Sequence, residues 1–235
     1  MRSAAPCALT SPQLSESETV TRSFYDRWIG GSGFLSALGR SIFRLSGVVY
    51  SRAFVRAARL NSRDSVLDIG CGMGTVLIAA QKKIRSNALY LGIDLSQQMI
   101  LKGKLKASRT VAGNSPELLV GSALSLPFGK SLFDVVLLSH VIKYLTDDQL
   151  NLVLDETTRV LKPGGRIVLW EFNPVFTPLL TRLVLRCSRA QKLRNPFELK
   201  FALETAGYNS PQSFRIITPW LPWSNVALVA QIDSI

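Results

Sequence analysis

The segment Val66-Leu67-Asp68-Ile69-Gly70-Cys71-Gly72-Met73-Gly74-Thr75 constrains this chain more narrowly than any other feature. An apolar strand runs straight into alternating glycines and then opens a helix. Alternating glycines let the main chain turn tightly and let another group approach it with no Cβ in between. In an open α/β sheet this place lies above a strand's carboxyl end, where a helix N-terminus faces the polar part of a ligand. The flanking pattern agrees. Strands are expected at Ser65–Ile69, Ala88–Ile93, Leu118–Val120, Phe133–Ser139 and Arg166–Phe172, alternating with helices at Thr75–Lys83, Ser96–Arg109 and Asp147–Leu161. Such alternation implies right-handed βαβ crossovers. Ser213–Thr218 and Asn225–Ile232 read as two last strands, close enough to pair antiparallel. The expected fold class is α/β: a doubly wound, mainly parallel seven-stranded sheet with an N-terminal helical cap.

With 235 residues, 47% of them apolar, the chain has material for one sizeable core. Residues 1–17 read as a flexible tail, 18–60 as the helical cap, and 61–235 as one α/β domain with a helical insertion at 176–206. The nearest approach to a membrane span, Phe34–Leu60, carries Arg40, Arg44, Arg52, Arg56 and Arg59, so no transmembrane helix is expected. The first 16 residues have no apolar run and read against a secretory signal, while an organellar transit peptide stays open. Three scattered cysteines without a CxxC suit a reducing, cytoplasmic setting, and a single histidine argues against a histidine-based metal centre. The net charge of +12 favours an anionic partner without choosing among nucleic acid, acidic lipid and an anionic substrate.

Spacing separates two cofactor readings. A dinucleotide fingerprint needs its third glycine where Thr75 stands, so a pyrophosphate is disfavoured. The next strand ends in Ile93-Asp94-Leu95-Ser96, with Asp94 falling 20 residues after Gly74. An acid there can accept both hydroxyls of a ribose, and Ser96 suits a helix N-cap. Together the glycine loop and Asp94 point to a nucleoside cofactor.

At these residues the sequence resembles the class I S-adenosylmethionine-dependent methyltransferases, which have a Rossmann-like fold. Gly121-Ser122-Ala123-Leu124-Ser125-Leu126-Pro127-Phe128, Phe133-Asp134-Val135-Val136 and Leu161-Lys162-Pro163-Gly164-Gly165-Arg166 look like that family's segments around its third, fourth and fifth strands. Phe24-Tyr25-Asp26 and Trp170-Glu171-Phe172-Asn173-Pro174 resemble the small-molecule branch that includes quinone-biosynthesis methyltransferases. The resemblance implies S-adenosyl-L-methionine as cofactor. By it, Gly70 and Gly72 line the methionine portion, Asp94 the ribose, and Ser122 and Ala123 the adenine, with Asp68, Cys71 and Leu95 also binding the cofactor and Ser139 and His140 beside it. The family usually has aspartate where this chain has Ser122, which removes charge assistance at the adenine edge.

Methyl transfer from a sulfonium needs alignment and a dry pocket more than acid–base groups. His140 is the candidate general base and Tyr144 a second catalytic candidate, with Tyr25 and Glu171 behind them. The alternatives stay open: His140 as a packing histidine, Tyr25 and Tyr144 as pocket lining. Asn173-Pro174-Val175-Phe176 imitates the N-P-P-Y signature of amino-group DNA methyltransferases, but it follows the fifth strand instead of the fourth. Arg182, Arg186 and Arg189 share one helical face opposite Leu180, Leu183, Val184 and Cys187. Basic helices at 34–60 and 177–189 either pack on the sheet or lie on an anionic membrane surface. Trp220 and Trp223 read equally as acceptor-pocket edge or core. The expected function is methyl transfer to a small apolar or aromatic acceptor. An RNA methyltransferase and a catalytically silent binding or assembly protein are the alternatives, nucleic acid being disfavoured for want of aromatics interleaved with the basic runs.

Overall fold

The computed structural model describes residues 14–30, 51–84, 87–110, 114–172, 190–216 and 225–233. In chain order these form α1 (Glu16–Gly30), a short α2 (51–57), β1 (Val66–Ile69), α3 (Thr75–Ile84), β2 (Tyr90–Asp94), α4 (Gln97–Thr110), β3 (Glu117–Val120) and β4 (Phe133–Ser139). A single 3-10 turn (Ile142–Tyr144), α5 (Asp147–Val160), β5 (Leu161–Phe172), α6 (Pro196–Thr205), β6 (Tyr208–Ile216) and β7 (Asn225–Ile232) follow. The seven strands make one sheet in the order β3-β2-β1-β4-β5-β7-β6. The first five are parallel and β7 runs antiparallel to both its neighbours, as the sequence pattern implies.

Alternation along the strands sends residues to two apolar layers. Leu67, Ile69, Val136, Leu138, Ile167 and Leu169 share one layer with Leu150, Val153 and Leu154 of α5 and Leu199 and Leu203 of α6. Val66, Val135, Leu137, Val168 and Trp170 share the other with Phe54 and Val55 of α2 and Val76 and Leu77 of α3. Both faces of the sheet are therefore covered, which is why its central strands read as continuous apolar runs. Phe54 packs on Trp170 with ring centroids 5.0 Å apart.

Local chemistry sets the helix starts. Thr146 and Gln149 form a reciprocal capping box on α5, and Asn195 with Glu198 does the same on α6 behind Pro196. Arg194, 2% exposed, donates to the carbonyls of Ile142 and Leu145 (both 2.9 Å) and to Asp147 Oδ1 at 2.7 Å. It thereby pins the turn that follows β4.

Most boundaries fall within two residues of expectation, and three differences have a local cause. α1 begins at Glu16, capped by Ser15, whose hydroxyl lies 3.3 Å from the Glu18 N–H, so the last residues assigned to the tail are ordered. β5 starts at Leu161 instead of Arg166, because a register shift absorbs Pro163 and the two glycines after it. β6 starts at Tyr208 instead of Ser213, a bulge between Asn209 and Gln212 accommodating Pro211 on this edge strand. Most of the basic segment 34–60, residues 173–189 with their arginine stripe and the Asn173 tetrapeptide, and Trp220 and Trp223 lie outside the described residues. No helix among the described residues is long and apolar enough to cross a membrane.

Candidate active site

The carboxyl ends of β1, β2, β3 and β4 meet at one rim of the sheet. Here the order of strands reverses direction between β1 and β4, the place where open α/β sheets leave a crevice. After β1 the main chain bends sharply: Gly70 and Cys71 both donate to the Ile93 carbonyl, at 2.7 and 3.0 Å. Gly70 and Gly72 hold φ of +68° and +54°, a region side chains rarely adopt.

The two glycines have different reasons to be there. A Cβ on Gly70 would stand 2.0 Å from Val141 Cγ2, so this loop is pressed against the chain leaving β4. A Cβ on Gly72 would meet no atom within 4 Å, which leaves its main chain open to approach. Gly70→Ala should therefore cost about 3 kcal/mol of folding stability, combining left-handed strain with a core overlap. Gly72→Ala should cost only about 1 kcal/mol while weakening cofactor binding more than tenfold. Urea melts and equilibrium dialysis read the two quantities separately, and equal stability losses would contradict this division.

Asp94 ends β2 with both carboxylate oxygens engaged. Oδ2 accepts from the Gly72 N–H and Oδ1 from the Ser96 N–H, each at 2.8 Å. Burial raises its pKa; the two N–H bonds pull the other way and Asp26 adds to the rise, leaving it above the usual value. Asp68, one strand over, is 1% exposed, and its Oδ1 has no hydrogen-bond partner among the described residues. Burial, followed by the neighbouring Asp94 charge, pushes that carboxyl well up. A buried, unsatisfied acceptor beside an open main-chain surface is what a polar ligand would complete. Leu95 continues the rim past Asp94. Cys71 is buried, its thiol beside Gly92 and donating to the Gly72 carbonyl at 3.7 Å.

α1 lies over the same rim. Ser96 accepts from the Met99 N–H and donates its hydroxyl to Asp26 Oδ1 at 2.5 Å, so the cap of α4 doubles as a dock for α1. Ser122, past β3, donates its hydroxyl to Glu18 Oε1 and accepts from the Leu124 N–H at 3.0 Å. The adenine-edge hydroxyl expected from the sequence is thus already committed, to a residue 104 positions away. Ala123 follows it, partly buried against the core.

A second cluster stands at the end of β4, where Ser139 is the last strand residue. His140 takes φ of +58°, strained for a non-glycine, with its ring against Trp170 and Phe172 (centroids 4.7 and 4.4 Å). Its Nδ1 lies 3.2 Å from Glu171 Oε1. Glu171 is fully buried and also accepts from the Lys143 N–H at 3.2 Å, with Lys143 Nζ 3.5 Å from Oε1. Burial alone would raise Glu171, but the Lys143 charge and the His140 hydrogen bond outweigh it and bring it to about 2. Burial lowers His140, Glu171 opposing, so the imidazole is neutral at pH 7. A neutral ring that gives Nδ1–H to Glu171 keeps its lone pair on Nε2.

Tyr25 on α1 joins the two clusters. Its hydroxyl meets that of Tyr144 at 2.5 Å, and burial, with the charges of Asp94 and Glu171 also acting on it, pushes it to about 12. The structure thus brings together Asp68, Gly70, Gly72, Asp94, Ser122, Ser139, His140 and Tyr144 along one rim. Sequence reasoning missed Lys143 and Glu18. A lysine beside a tyrosine, or a glutamate in a helical first turn, carries no signal of its own, although the Ser15-x-x-Glu18 spacing is a capping signature that would have placed Glu18 at a helix start.

Comparison with known proteins bears on this geometry. Residues 66–165 match the model of a family described as a methyltransferase domain. Over 117 residues the chain is 38% identical to the demethylmenaquinone methyltransferase of Lactococcus lactis, covering 49% of this chain and 44% of that protein. Over 160 residues it is 26% identical to the demethylmenaquinone methyltransferase of Symbiobacterium thermophilum, covering 62% and 63%. The chain thus spans between 44% and 63% of the length of these curated relatives. In fold it is similar to magnesium protoporphyrin IX methyltransferase from Synechocystis PCC 6803 with bound SAM, at a TM-score of 0.66 and 20% identity, covering 95% of this chain and 100% of that one.

Proposed function

We propose that this chain, whose residues 66–165 match the methyltransferase-domain family, is a class I, S-adenosylmethionine-dependent enzyme that methylates a small apolar or aromatic acceptor. When bound, the cofactor supplies a methyl group on a positively charged sulfur. The observation that carries the reading is the open main chain at Gly72 beside the half-buried Asp94 and the buried Asp68 carboxyls. Asp94 would hold the ribose diol, and Gly70 and Gly72 would let the methionine portion lie close to the backbone. Asp68 would face the polar end of that portion, and Ser139 would flank it.

The relatives named for demethylmenaquinone methylation suggest a reduced quinone as the acceptor class. Removing a proton from such a ring hydroxyl raises electron density at the adjacent carbon, which would then take the methyl group as its bond to sulfur breaks to leave a neutral thioether. The hydrogen on that carbon then moves as a proton to the ring oxygen, restoring the aromatic ring. His140 would take the hydroxyl proton on Nε2, with Glu171 fixing the tautomer through Nδ1 and Tyr144 lining the acceptor side. His140→Gln should lower kcat roughly 100-fold or more with cofactor affinity kept. For the wild type, kcat/KM should hold steady around neutral pH and fall as pH drops through the lowered His140 pKa. Turnover of His140→Gln at the wild-type rate would leave His140 a packing residue.

We place the enzyme in the cytoplasm, drawing its acceptor from an anionic membrane surface. The net charge of +12 and the acid-free run from Phe172 to Phe197, with Arg182, Arg186 and Arg189, support that reading. Incubation with methyl-labelled cofactor and a lipid-plus-soluble extract tests it: label is expected in the extractable lipid fraction. Label confined to RNA or protein would overturn it.

A further inference from the structure

We infer that Glu18, reaching from α1, recognises the exocyclic amino group of the cofactor's adenine and makes binding base-specific. This rests on the nucleoside reading of the rim. β2 and β3 are in register with Asp94 opposite Val120, and the Gly121 N–H donates to the Asp94 carbonyl at 3.0 Å. Ser122 follows directly, so it and the group it holds stand past the end of β3, on the side of Asp94 away from β1. A base attached to that ribose extends outward along this line.

Two side chains stand there; the Ser122 oxygen keeps one lone pair as a neutral acceptor, and the Glu18 carboxylate is the stronger acceptor of the two. Ser122 has a single proton, which it gives to Glu18, and its oxygen accepts from Leu124. Glu18 is 7% exposed, and every donor it meets is neutral: the Ser15 N–H and hydroxyl on Oε2, both at 2.9 Å, and Ser122 on Oε1. Capping of α1 uses Oε2 alone. Oε1 has a second lone pair, held in place by Ser122 at the base end of the crevice. A buried carboxylate with no cation beside it among the described residues gains most from one more N–H donor, and adenine offers one where hypoxanthine offers a carbonyl. Ser122 is then a positioning residue, and α1 is part of the cofactor site as well as a cover over it.

The test compares binding of S-adenosylhomocysteine with that of S-inosylhomocysteine, which carries oxygen in place of the amino group. Wild type should prefer the adenosyl compound tenfold or more. Glu18→Ala should reduce that ratio to about threefold or less, while affinity for the inosyl compound stays within about threefold of wild type. Glu18→Gln keeps the side-chain volume and can turn its amide N–H toward the inosyl carbonyl, so the ratio should fall to near one or invert. Equal weakening of both ligands, or a ratio unchanged in both variants, would mean that Glu18 only caps α1 and would overturn the proposal. Wild type binding both compounds equally overturns it too, leaving the nucleoside reading intact. Binding of neither ligand would remove both together.

Discussion

Asp94→Ala should bind S-adenosylmethionine at least about 100-fold more weakly than wild type, the largest effect expected of a single change at the cofactor rim. Hydrogen bonds to a charged group contribute about 1.5–3 kcal/mol each, and a ribose diol offers two. A second loss adds to the first. Asp94 also accepts from the N–H groups of Gly72 and Ser96, so its removal frees the tip of the glycine loop from β2. Asp94→Asn separates the contributions. The amide keeps one acceptor oxygen and the shape, and should fall between alanine and wild type. Equilibrium dialysis with labelled cofactor gives the affinities, and circular dichroism verifies the fold. Wild-type affinity in Asp94→Ala would detach the ribose from β2 and, with it, the orientation assigned to the whole cofactor.

Glu171→Ala should destabilise the fold by about 3–5 kcal/mol, because it leaves the Lys143 ammonium buried without its anion. Lys143 is 4% exposed; its remaining partners are the His140 carbonyl and the rings of Tyr144 and Phe172. Pairing Glu171→Leu with Lys143→Met should recover most of that loss, since an apolar pair of similar volume avoids both desolvation costs. The pH dependence carries the same signature. Glu171 sits near 2 when folded against an ordinary 4.5, so its contribution is fully present above about pH 4.5 and is lost as pH falls toward 2. Urea midpoints measured across that window should drop more steeply for wild type than for the paired variant. Parallel curves would mean that the Lys143–Glu171 pair does not stabilise the fold.

Much of this was legible because local and global signals agree. The strand into Gly70-Cys71-Gly72-Met73-Gly74 carries its geometry in its composition: left-handed backbone and close approach both require glycine, so spacing alone located the loop. The place of Asp94 at the end of β2 was legible because it depends on distance along a βαβ unit. Val135–Leu138, covered by helices on both faces, could hardly be anything but a central strand. What escaped notice depends on tertiary approach. Glu18 and Ser122 lie 104 residues apart, and no local pattern says that α1 will reach the chain leaving β3. Lys143 is buried only because Glu171, on a neighbouring strand, is there to receive it. The early starts of β5 and β6 were hidden by prolines, which usually end strands yet are tolerated at bulges and on an edge.

Everything assigned to the rim depends on its holding an adenosyl ligand. Titration calorimetry of the intact wild-type chain with S-adenosylhomocysteine, at protein concentrations of tens of micromolar, addresses that most directly. Saturable heat is expected, with one ligand per chain and weaker binding in Gly72→Ala. A folded chain that gives no heat at millimolar ligand would contradict the account.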